Sequence, residues 1–373
     1  MRENVVRVLH VLNSMESGGI ESFIMNVYRN IDREKIQFDF LLFEKTDSCL
    51  EKEIISLGGH LFFVPSRRKS IIRNIKAIDS FFKKNSYKIV HMHVSCLSYI
   101  TPLVCAKKNK VPVRIIHSHS SVAPGNKIHF YLHLINKKRI CSVATHFFAC
   151  SDKAQEWLFK GSKAFEKSLI VKNGIDCAQF RFDNNLRSIY RKKLNLSDKK
   201  TIIHVGRFAP EKNHQFLIQV FKKFHSQNPQ SHLLLVGNGI EFLKVKQLVN
   251  DEGLADCVSM LGLRNDVAEL LHAADMYVLP SLYEGFPVAL IEAQATGIPC
   301  LYSNTITASA KILPNCKQIP IFNGPDVWAS ALSDNAIWKR EERGNSTIIE
   351  AGYSIKDVAV SLAQVYLESV VKL

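Results

Sequence analysis

The sequence predicts an α/β protein of two domains, each built on a parallel sheet with helices on both faces. At 373 residues the chain is too long for one ordinary core and fits two domains. In both halves, short β-rich runs alternate with helical segments, as parallel sheets require. The stretch from Asn173 to Lys200 is polar, as a linker would be. We therefore expect one domain over 1–180, a second over 181–352 and a terminal helix over 353–373 that packs back on the first domain.

Each predicted strand is an apolar or β-branched run that ends at a turn-forming residue, and periodic segments between strands indicate helices. In the N-terminal half, the predicted strands are 5–12, 38–43, 60–64, 88–94, 113–117 and 146–150, and the helices are 21–29, 51–57, 70–85, 96–109 and 128–141. In the C-terminal half, the strands are 201–205, 231–236, 258–261, 276–280 and 299–302, and the helices are 212–227, 240–252, 266–273 and 287–296. Apolar residues at steps of three and four between Val358 and Val370 indicate the terminal amphipathic helix.

The composition argues against membrane-spanning, disordered and disulfide-rich classes. Hydrophobic residues make up 46% of the chain and charged residues 22%, as in packed proteins. The longest uncharged stretches, 89–106 and 293–310, contain several polar residues and are poor candidates for a membrane span. Charges near the N-terminus argue against a signal peptide, so we expect a cytoplasmic protein. Nine single cysteines without a C-x-x-C pair argue against disulfides and structural zinc.

The formal net charge of +15 is concentrated in the N-terminal half. Between Ile54 and Ser151 there are 16 basic residues and a single acidic one, Asp79. Such a segment favours a polyanionic partner, such as an acidic membrane surface, a phosphorylated substrate or a nucleic acid. The alternative is a basic surface that is only solvated.

A first candidate motif, Gly206–Asn213 (GRFAPEKN), directly follows a predicted strand. Arg207 and Lys212 place two cations at the carboxyl edge of the sheet, where a diphosphate would bind. The turn at 237–239 resembles a nucleotide-binding turn but lacks the complete G-x-G-x-x-G pattern.

A second motif, PSLYEGFPVALIEA, covers 280–293 and spans a strand end, a loop and a helix. It carries two carboxylates, Glu284 in the loop and Glu292 on the helix, and a carboxylate can accept hydrogen bonds from the hydroxyls of a sugar. The amides of Gly285, Phe286 and Val288 are expected to be exposed at the helix N-terminus, which favours an anion.

These motifs resemble glycosyltransferase family 4, a group of retaining enzymes with the GT-B fold, in which two Rossmann-like domains face each other across a cleft. The matching features run in the family's order over about the first 300 residues: Gly18-Gly19, the H-S-H of His117–His119, N-G-I-D at 173–176, Gly206–Asn213 and the E-x7-E of Glu284 and Glu292. The sequence looks most like bacterial transferases of capsule and exopolysaccharide biosynthesis.

The resemblance implies a role for each matching residue. Arg207 and Lys212 would neutralise the donor diphosphate, Glu292 would hold the ribose, and Glu284 would hold the transferred sugar or, less favoured, act as a nucleophile. The catalytic pair would be Glu284 and His119, with His117, His91 and His93 as weaker candidates for the histidine. The remaining donor-binding positions would be Gly18, Gly19, Leu263, Arg264, Gly285, Phe286, Pro287 and Val288.

Neither a metal nor another cofactor is expected. No two aspartates are separated by one residue, so the chain has no D-x-D to hold a metal–diphosphate complex. The spacing of His129 and His133 puts both on one helix face, but no acidic residue completes a zinc site there.

The expected acceptor is a polyprenyl-diphosphate-linked saccharide, reached from the inner face of the membrane. The basic N-terminal segment would then contact anionic lipid. Two alternatives stay open at the sequence level: a nucleotide-sugar epimerase of the same fold, and a non-catalytic basic protein that binds nucleic acid. The second would need an aromatic-interleaved basic face, which the sequence lacks.

Overall fold

A computed structural model describes residues 5–16, 18–122, 127–334 and 338–371. The chain divides into two compact units. The first comprises Met1–Gly174 with Ile355–Leu373, and the second comprises Ile175–Ser354. These limits lie a few residues from the domain boundaries that the sequence predicts. The last two residues of the predicted terminal helix, 372 and 373, lie outside the described residues.

The first unit contains a parallel sheet with strand order β3-β2-β1-β4-β5-β6-β7 among its described residues. Its strands are β1 (Val6–Leu12), β2 (Ile36–Leu42), β3 (Leu61–Phe63), β4 (Ile89–Val94), β5 (Val113–Ser118), β6 (His146–Ala149) and β7 (Leu169–Ile170). Its helices are α1 (Gly19–Asn30), α2 (Cys49–Ser56), α3 (Ile71–Lys84), α4 (Thr101–Lys108), α5 (Lys127–Val143), α6 (Asp152–Phe159), α7 (Ala164–Lys167) and, from the chain end, α15 (Ile355–Val371).

The second unit contains a parallel sheet with strand order β10-β9-β8-β11-β12-β13, counted over the ranges given above. Its strands are β8 (Lys200–Val205), β9 (Ser231–Val236), β10 (Val258–Gly262), β11 (Met276–Leu279), β12 (Cys300–Ser303) and β13 (Cys316–Ile319). Its helices are α8 (Asn184–Lys193), α9 (His214–Gln227), α10 (Phe242–Asp251), α11 (Val267–Ala273), α12 (Val288–Ala295), α13 (Gly324–Ser333) and α14 (Gly344–Glu350).

Both sheets reverse their strand order once, between β1 and β4 in the first unit and between β8 and β11 in the second. Ligands of open parallel sheets bind outside the carboxyl ends of the strands at such a reversal. The loops after these four strands are therefore where functional side chains are expected.

The terminal helix α15 belongs to the first unit, which confirms the expectation that it crosses back. Val358, Leu362 and Tyr366 are buried in the same apolar cluster as residues of α1, β1 and β2. Their spacing of four residues puts them on one face of the helix, and burial of that face stabilises the return of the chain.

The stretch predicted as a linker contains a helix, α8, that the sequence analysis did not predict. Asp183 caps its N-terminus by accepting hydrogen bonds from the amides of Asn185 and Leu186. Arg187 and Arg191 both bind Asp275 at the end of α11, which fixes α8 to the second unit. In the described ranges, no helix has both the length and the apolar character needed to cross a membrane.

Candidate functional site

The loop after β8 carries the two cations that the sequence singled out. The Arg207 side chain is exposed, and no described residue forms a hydrogen bond or ion pair with it. Lys212 ends a short 3₁₀ turn at Pro210–Lys212, and Asn213 then adopts a left-handed conformation (φ 57°) from which α9 begins. The turn therefore breaks the helix that was predicted to start at 212.

The Lys212 ammonium pairs with Glu284, a contact that the sequence did not predict. Lys212 Nζ lies 2.6 Å from Glu284 Oε1, and Ser281 Oγ donates to the same oxygen at 2.7 Å. Both charged side chains are mostly buried, with 17% and 11% of their surface exposed. An ammonium group has three donors, so Lys212 keeps further donors for a ligand while it orients Glu284.

Two glycines hold the loop after β9 against the loop after β8. Gly237 (φ 134°) and Gly239 (φ 158°) have backbone conformations that other residues rarely adopt. A Cβ on either residue would overlap a carbonyl oxygen, that of Gly206 or of Phe208. The turn that resembled a nucleotide-binding loop thus serves close backbone packing, which sets the position of Arg207.

At the start of α12, one of the three backbone amides that were predicted to be exposed is hydrogen-bonded within the protein. The Val288 N–H donates to the Phe286 carbonyl at 3.1 Å, so the expectation that this amide is exposed is wrong. Phe286 is buried and stacks on Tyr353 with ring centroids 5.4 Å apart. No side chain caps the helix at Pro287. Gly285 lies in the loop immediately before it.

Glu292 lies in the second turn of α12 and is half-buried. Burial raises the pKa of its carboxyl group to about 7. Burial, followed by the charges of Glu284 and Glu292, also raises the pKa of Tyr277 on β11. Both carboxylates follow β11 in the chain, Glu284 in the loop after the strand and Glu292 on α12.

The loop after β10 presents the two remaining predicted positions of this unit. Leu263 is 72% exposed. Arg264 forms a bidentate ion pair with Asp266, at 2.7 and 2.5 Å, and Tyr190 donates to the same carboxylate at 3.0 Å. Because the guanidinium group is held in this way, the side chain of Arg264 shapes the loop instead of presenting a free charge.

In the first unit, Gly18 and Gly19 form the start of α1, the first helix after β1. Gly18 is extended at the N-cap, and no side chain of the described residues caps the helix. A Cβ on Gly19 would meet nothing within 4 Å. An uncapped N-terminus of a long helix offers backbone donors and a favourable dipole to an anion.

His119 lies just beyond β5, is half-buried, and its Nε2 lies 2.9 Å from His93 Nδ1. Burial lowers its pKa to about 3, so the imidazole is neutral at physiological pH. His117, His91 and His93 are buried beside it, together with His10 on β1, which sequence reasoning missed. The signal was present as H-x-H at two strand ends, but only the strand register adds His10.

The His129–His133 pair behaves differently. His133 is buried, accepts the Leu97 amide at 3.1 Å and stacks on Trp157. Among the described residues, the groups whose nitrogens could hold a metal are His10, His91 and His93, and His93, His117 and His119.

The chain is similar in sequence to two families that together span most of its length. Residues 17–179 match Glycosyltransferase Family 4, and residues 187–325 match glycosyl transferases group 1.

Three curated relatives resemble most of the chain. The glycosyltransferase EpsF of Bacillus subtilis is 32% identical, with 98% of this chain and 97% of EpsF covered. A UDP-Gal:α-D-GlcNAc-diphosphoundecaprenol α-1,3-galactosyltransferase of Escherichia coli is 29% identical over 80% of this chain and 79% of its own. The capsular polysaccharide biosynthesis glycosyltransferase CapH of Staphylococcus aureus is 25% identical over 97% and 99%.

The solved structure of Anabaena HepE in complex with UDP and glucose matches with a TM-score of 0.76. The match covers 99% of this chain and 100% of HepE at 18% identity, and it confirms the two-domain GT-B fold.

Proposed function

The chain belongs to glycosyltransferase family 4, and from that premise we propose that it transfers a sugar from a UDP-sugar to a lipid-linked saccharide during capsule or exopolysaccharide assembly. The observation that carries this proposal is the similarity over four fifths of the chain to an enzyme whose donor is UDP-Gal and whose acceptor is GlcNAc-diphosphoundecaprenol. The UDP complex of HepE supports the same nucleotide.

The donor diphosphate would bind at Arg207 and Lys212. The Arg207 side chain is exposed and has no hydrogen-bond or ion-pair partner among the described residues, and Lys212 lies on the same loop. A forked guanidinium group and a point-like ammonium group together neutralise a diphosphate and stabilise the charge that grows on it as the sugar leaves.

Glu284 would hold the transferred sugar, and Glu292 would hold the ribose. Lys212 and Ser281 hold one oxygen of Glu284 and so orient its carboxylate, a group that can accept hydrogen bonds from sugar hydroxyls. Glu292 has no side-chain hydrogen bond within the described part of the chain, so its carboxyl group is available to a vicinal diol. Gly18, Gly19 and His119 remain the candidate substrate-contacting residues of the first unit.

We propose that transfer retains the anomeric configuration and needs no metal or other cofactor. The two cations take over the charge neutralisation that a D-x-D metal site would supply. The departing phosphate would help to deprotonate the acceptor. Glu284 would position the sugar and would not form a covalent intermediate with it.

The acceptor side would bind the anionic inner surface of the cell membrane. On α3, Ile71 and Ile72 are 65% and 68% exposed, beside the exposed Arg73 and Lys76. Helix α5 likewise exposes a run of large apolar side chains: Ile128, Phe130, Tyr131, Leu132, Leu134 and Ile135. Apolar side chains flanked by basic residues match a bilayer with anionic headgroups.

The guanidinium group of Arg67 is held by neighbouring residues and does not form part of this surface. The group donates to the Ser98 carbonyl at 3.0 Å and lies over the Tyr99 ring at 4.9 Å. Arg67 thus fixes the segment before α3, and the exposed charges of the R-R-K cluster are Arg68 and Lys69.

The decisive test is incubation of the purified protein with a panel of UDP-, GDP- and ADP-sugars and a GlcNAc-diphosphoundecaprenol acceptor in vesicles. Transfer of sugar from the UDP donor to the lipid, with the anomeric centre of the product retained by NMR, is the expected result. Interconversion of nucleotide sugars without acceptor would identify an epimerase. Salt-sensitive retention on DNA without any transfer would identify a nucleic-acid-binding protein.

A further inference from the structure

Five histidines form one layer on a single face of the first sheet. His10 on β1 is in register with His91 on β4, and His93 on β4 is in register with His117 on β5. Side chains two residues apart on a strand point to the same face, which adds His119 to the layer. Phe23 of α1 and Tyr366 of α15 cover it, with Phe23 edge-on to His117.

The five rings form two separate hydrogen-bonded chains. In the first, His10 Nδ1 lies 2.9 Å from His93 Nε2, and His93 Nδ1 lies 2.9 Å from His119 Nε2. In the second, Tyr366 Oη lies 2.7 Å from His91 Nδ1, and His91 Nε2 lies 3.2 Å from His117 Nδ1. Only the first chain reaches His119.

A bound metal is a weaker interpretation of the same residues. The two histidine triads bring ligand nitrogens within 4.8 Å of one another. However, both ring nitrogens of His93 already lie at hydrogen-bond distance from another imidazole, and neither triad includes a carboxylate that would offset the charge of a divalent ion in a buried site. A shared proton between each pair accounts for the distances directly.

The buried end of the first chain decides the direction of its hydrogen bonds. His10 Nε2 is buried, close to the rings of Phe38 and Phe40, and has no hydrogen-bond partner in the part of the chain that the structure describes. If His93 donated to His10, the proton of His10 would lie on Nε2, which would be a buried N–H group without a partner. If His10 donates to His93, Nε2 is instead an acceptor without a partner. Buried N–H groups without a partner are the rarer of the two. The bonds therefore run from His10 Nδ1–H to His93, and from His93 Nδ1–H to His119 Nε2.

We propose that His93, held by His10, locks His119 as the Nδ1–H tautomer, so that His119 presents a hydrogen-bond donor and not a base. Because burial lowers the pKa of each ring in this chain, all three imidazoles are neutral and each carries one proton. His119 Nδ1 has no partner among the described residues, so its N–H is available to substrate. His93 is a positioning residue, and its role in turnover rests on the proposed function.

Nitrogen-15 NMR of histidine-labelled full-length protein tests the lock without any need for activity. The His119 signals, assigned with His119→Asn, should show a protonated Nδ1 and an unprotonated Nε2. His93→Phe removes the donor to His119 and should give averaged tautomers, whereas His93→Asn places an amide donor near the lost Nδ1–H and should restore the lock. Tyr366→Phe, which alters only the second chain, is the matched control and should leave the His119 signals unchanged.

Steady-state kinetics of the His93 variants distinguish a positioning role of His93 from a general loss of protein stability. His93→Phe should lower kcat about threefold to tenfold, the range for one net hydrogen bond, with KM for the nucleotide sugar unchanged and with recovery in His93→Asn. A wild-type His119 protonated at Nε2, averaged tautomers in the wild type, or metal-shifted His93 signals after incubation with Zn²⁺ would overturn the proposal. If His93→Phe does not fold, the wild-type and His93→Asn spectra still decide. If the wild type shows no transfer activity, the proposed function is refuted, whereas the NMR result still decides the tautomer of His119.

Discussion

The two units place polar groups at the same point of similar sheets, but one uses neutral groups and the other uses charges. At the β1–β4 reversal the first unit buries hydrogen-bonded imidazoles whose pKa values are lowered by burial. At the β8–β11 reversal the second unit presents the exposed Arg207 and the Lys212–Glu284 ion pair. A neutral ring can be buried if its neighbours satisfy its hydrogen bonds, whereas a buried charge needs a partner of opposite sign.

This difference indicates what each region can contribute to the reaction. Charges interact strongly with a leaving diphosphate, so their removal should change the rate of transfer by orders of magnitude. Neutral hydrogen bonds orient groups, so their removal should change it modestly. The predictions below test that contrast, beginning with the largest expected effect.

Arg207→Ala and Lys212→Ala should each lower kcat by about 10²–10³, because the charge on the diphosphate grows as the sugar–phosphate bond breaks. Steady-state kinetics with the UDP-sugar and lipid acceptor measure this. Since both cations would bind one diphosphate in the proposed site, the double variant should lose less than the product of the single losses.

The matched control is Arg181→Ala, which removes an exposed arginine of the same unit outside these loops. It should turn over like the wild type. Wild-type turnover in a folded Arg207→Ala variant would remove the reason to place the diphosphate at this loop.

Replacing Arg68, Lys69 and Arg73 together by alanine should weaken binding to anionic vesicles about a hundredfold, from roughly 1 kcal/mol per basic residue near such a surface. Vesicle sedimentation measures the loss, and nucleotide affinity should stay unchanged because the second unit is untouched. Arg181, Lys192 and Lys246 are exposed in the second unit, and their joint replacement removes the same charge. An equal loss of vesicle affinity in both triple variants would show that binding depends on the net charge of the protein and not on this basic cluster.

Glu292→Gln should gain thermal stability relative to wild type as pH rises from 5 to 8. The carboxyl pKa is raised from 4.5 to about 7, so the stability that this group contributes is present below pH 4.5 and is lost as pH rises through 7. The difference should reach at most about 3 kcal/mol, several degrees in Tm.

Thermal melts of both proteins at each pH measure this effect. Glu342 is exposed in the same unit, and Glu342→Gln serves as the control for the removal of one carboxylate charge. A Glu292→Gln difference that does not change with pH would contradict a raised carboxyl pKa at Glu292.

EDTA should leave transfer activity essentially unchanged, the smallest effect of the series, because in the proposed site Arg207 and Lys212 would take the place of a diphosphate-bound metal. Activity is measured before and after dialysis against the chelator. A loss that Mg²⁺ or Mn²⁺ restores would show that the cations of the second unit are not sufficient.

The sequence predicted the two sheets because apolar strand runs alternate regularly with helices, and this pattern is local. It missed α8 because this short helix has few apolar side chains and none of them is buried, although Leu186, Ile189 and Tyr190 follow helical spacing. The Lys212–Glu284 pair joins residues from two loops far apart in the chain, and local spacing does not reveal that they converge. His10 joined the histidine layer only when the register of β1 and β4 was known.

The central claim is that the loops at 206–292 hold the nucleotide, and calorimetric titration with UDP tests it most directly. The wild type and Arg181→Ala should bind UDP with equal affinity, while Arg207→Ala and Glu292→Ala should each bind at least about tenfold more weakly, as expected for a lost charge-assisted hydrogen bond. Equal UDP affinity in all four proteins would contradict the claim.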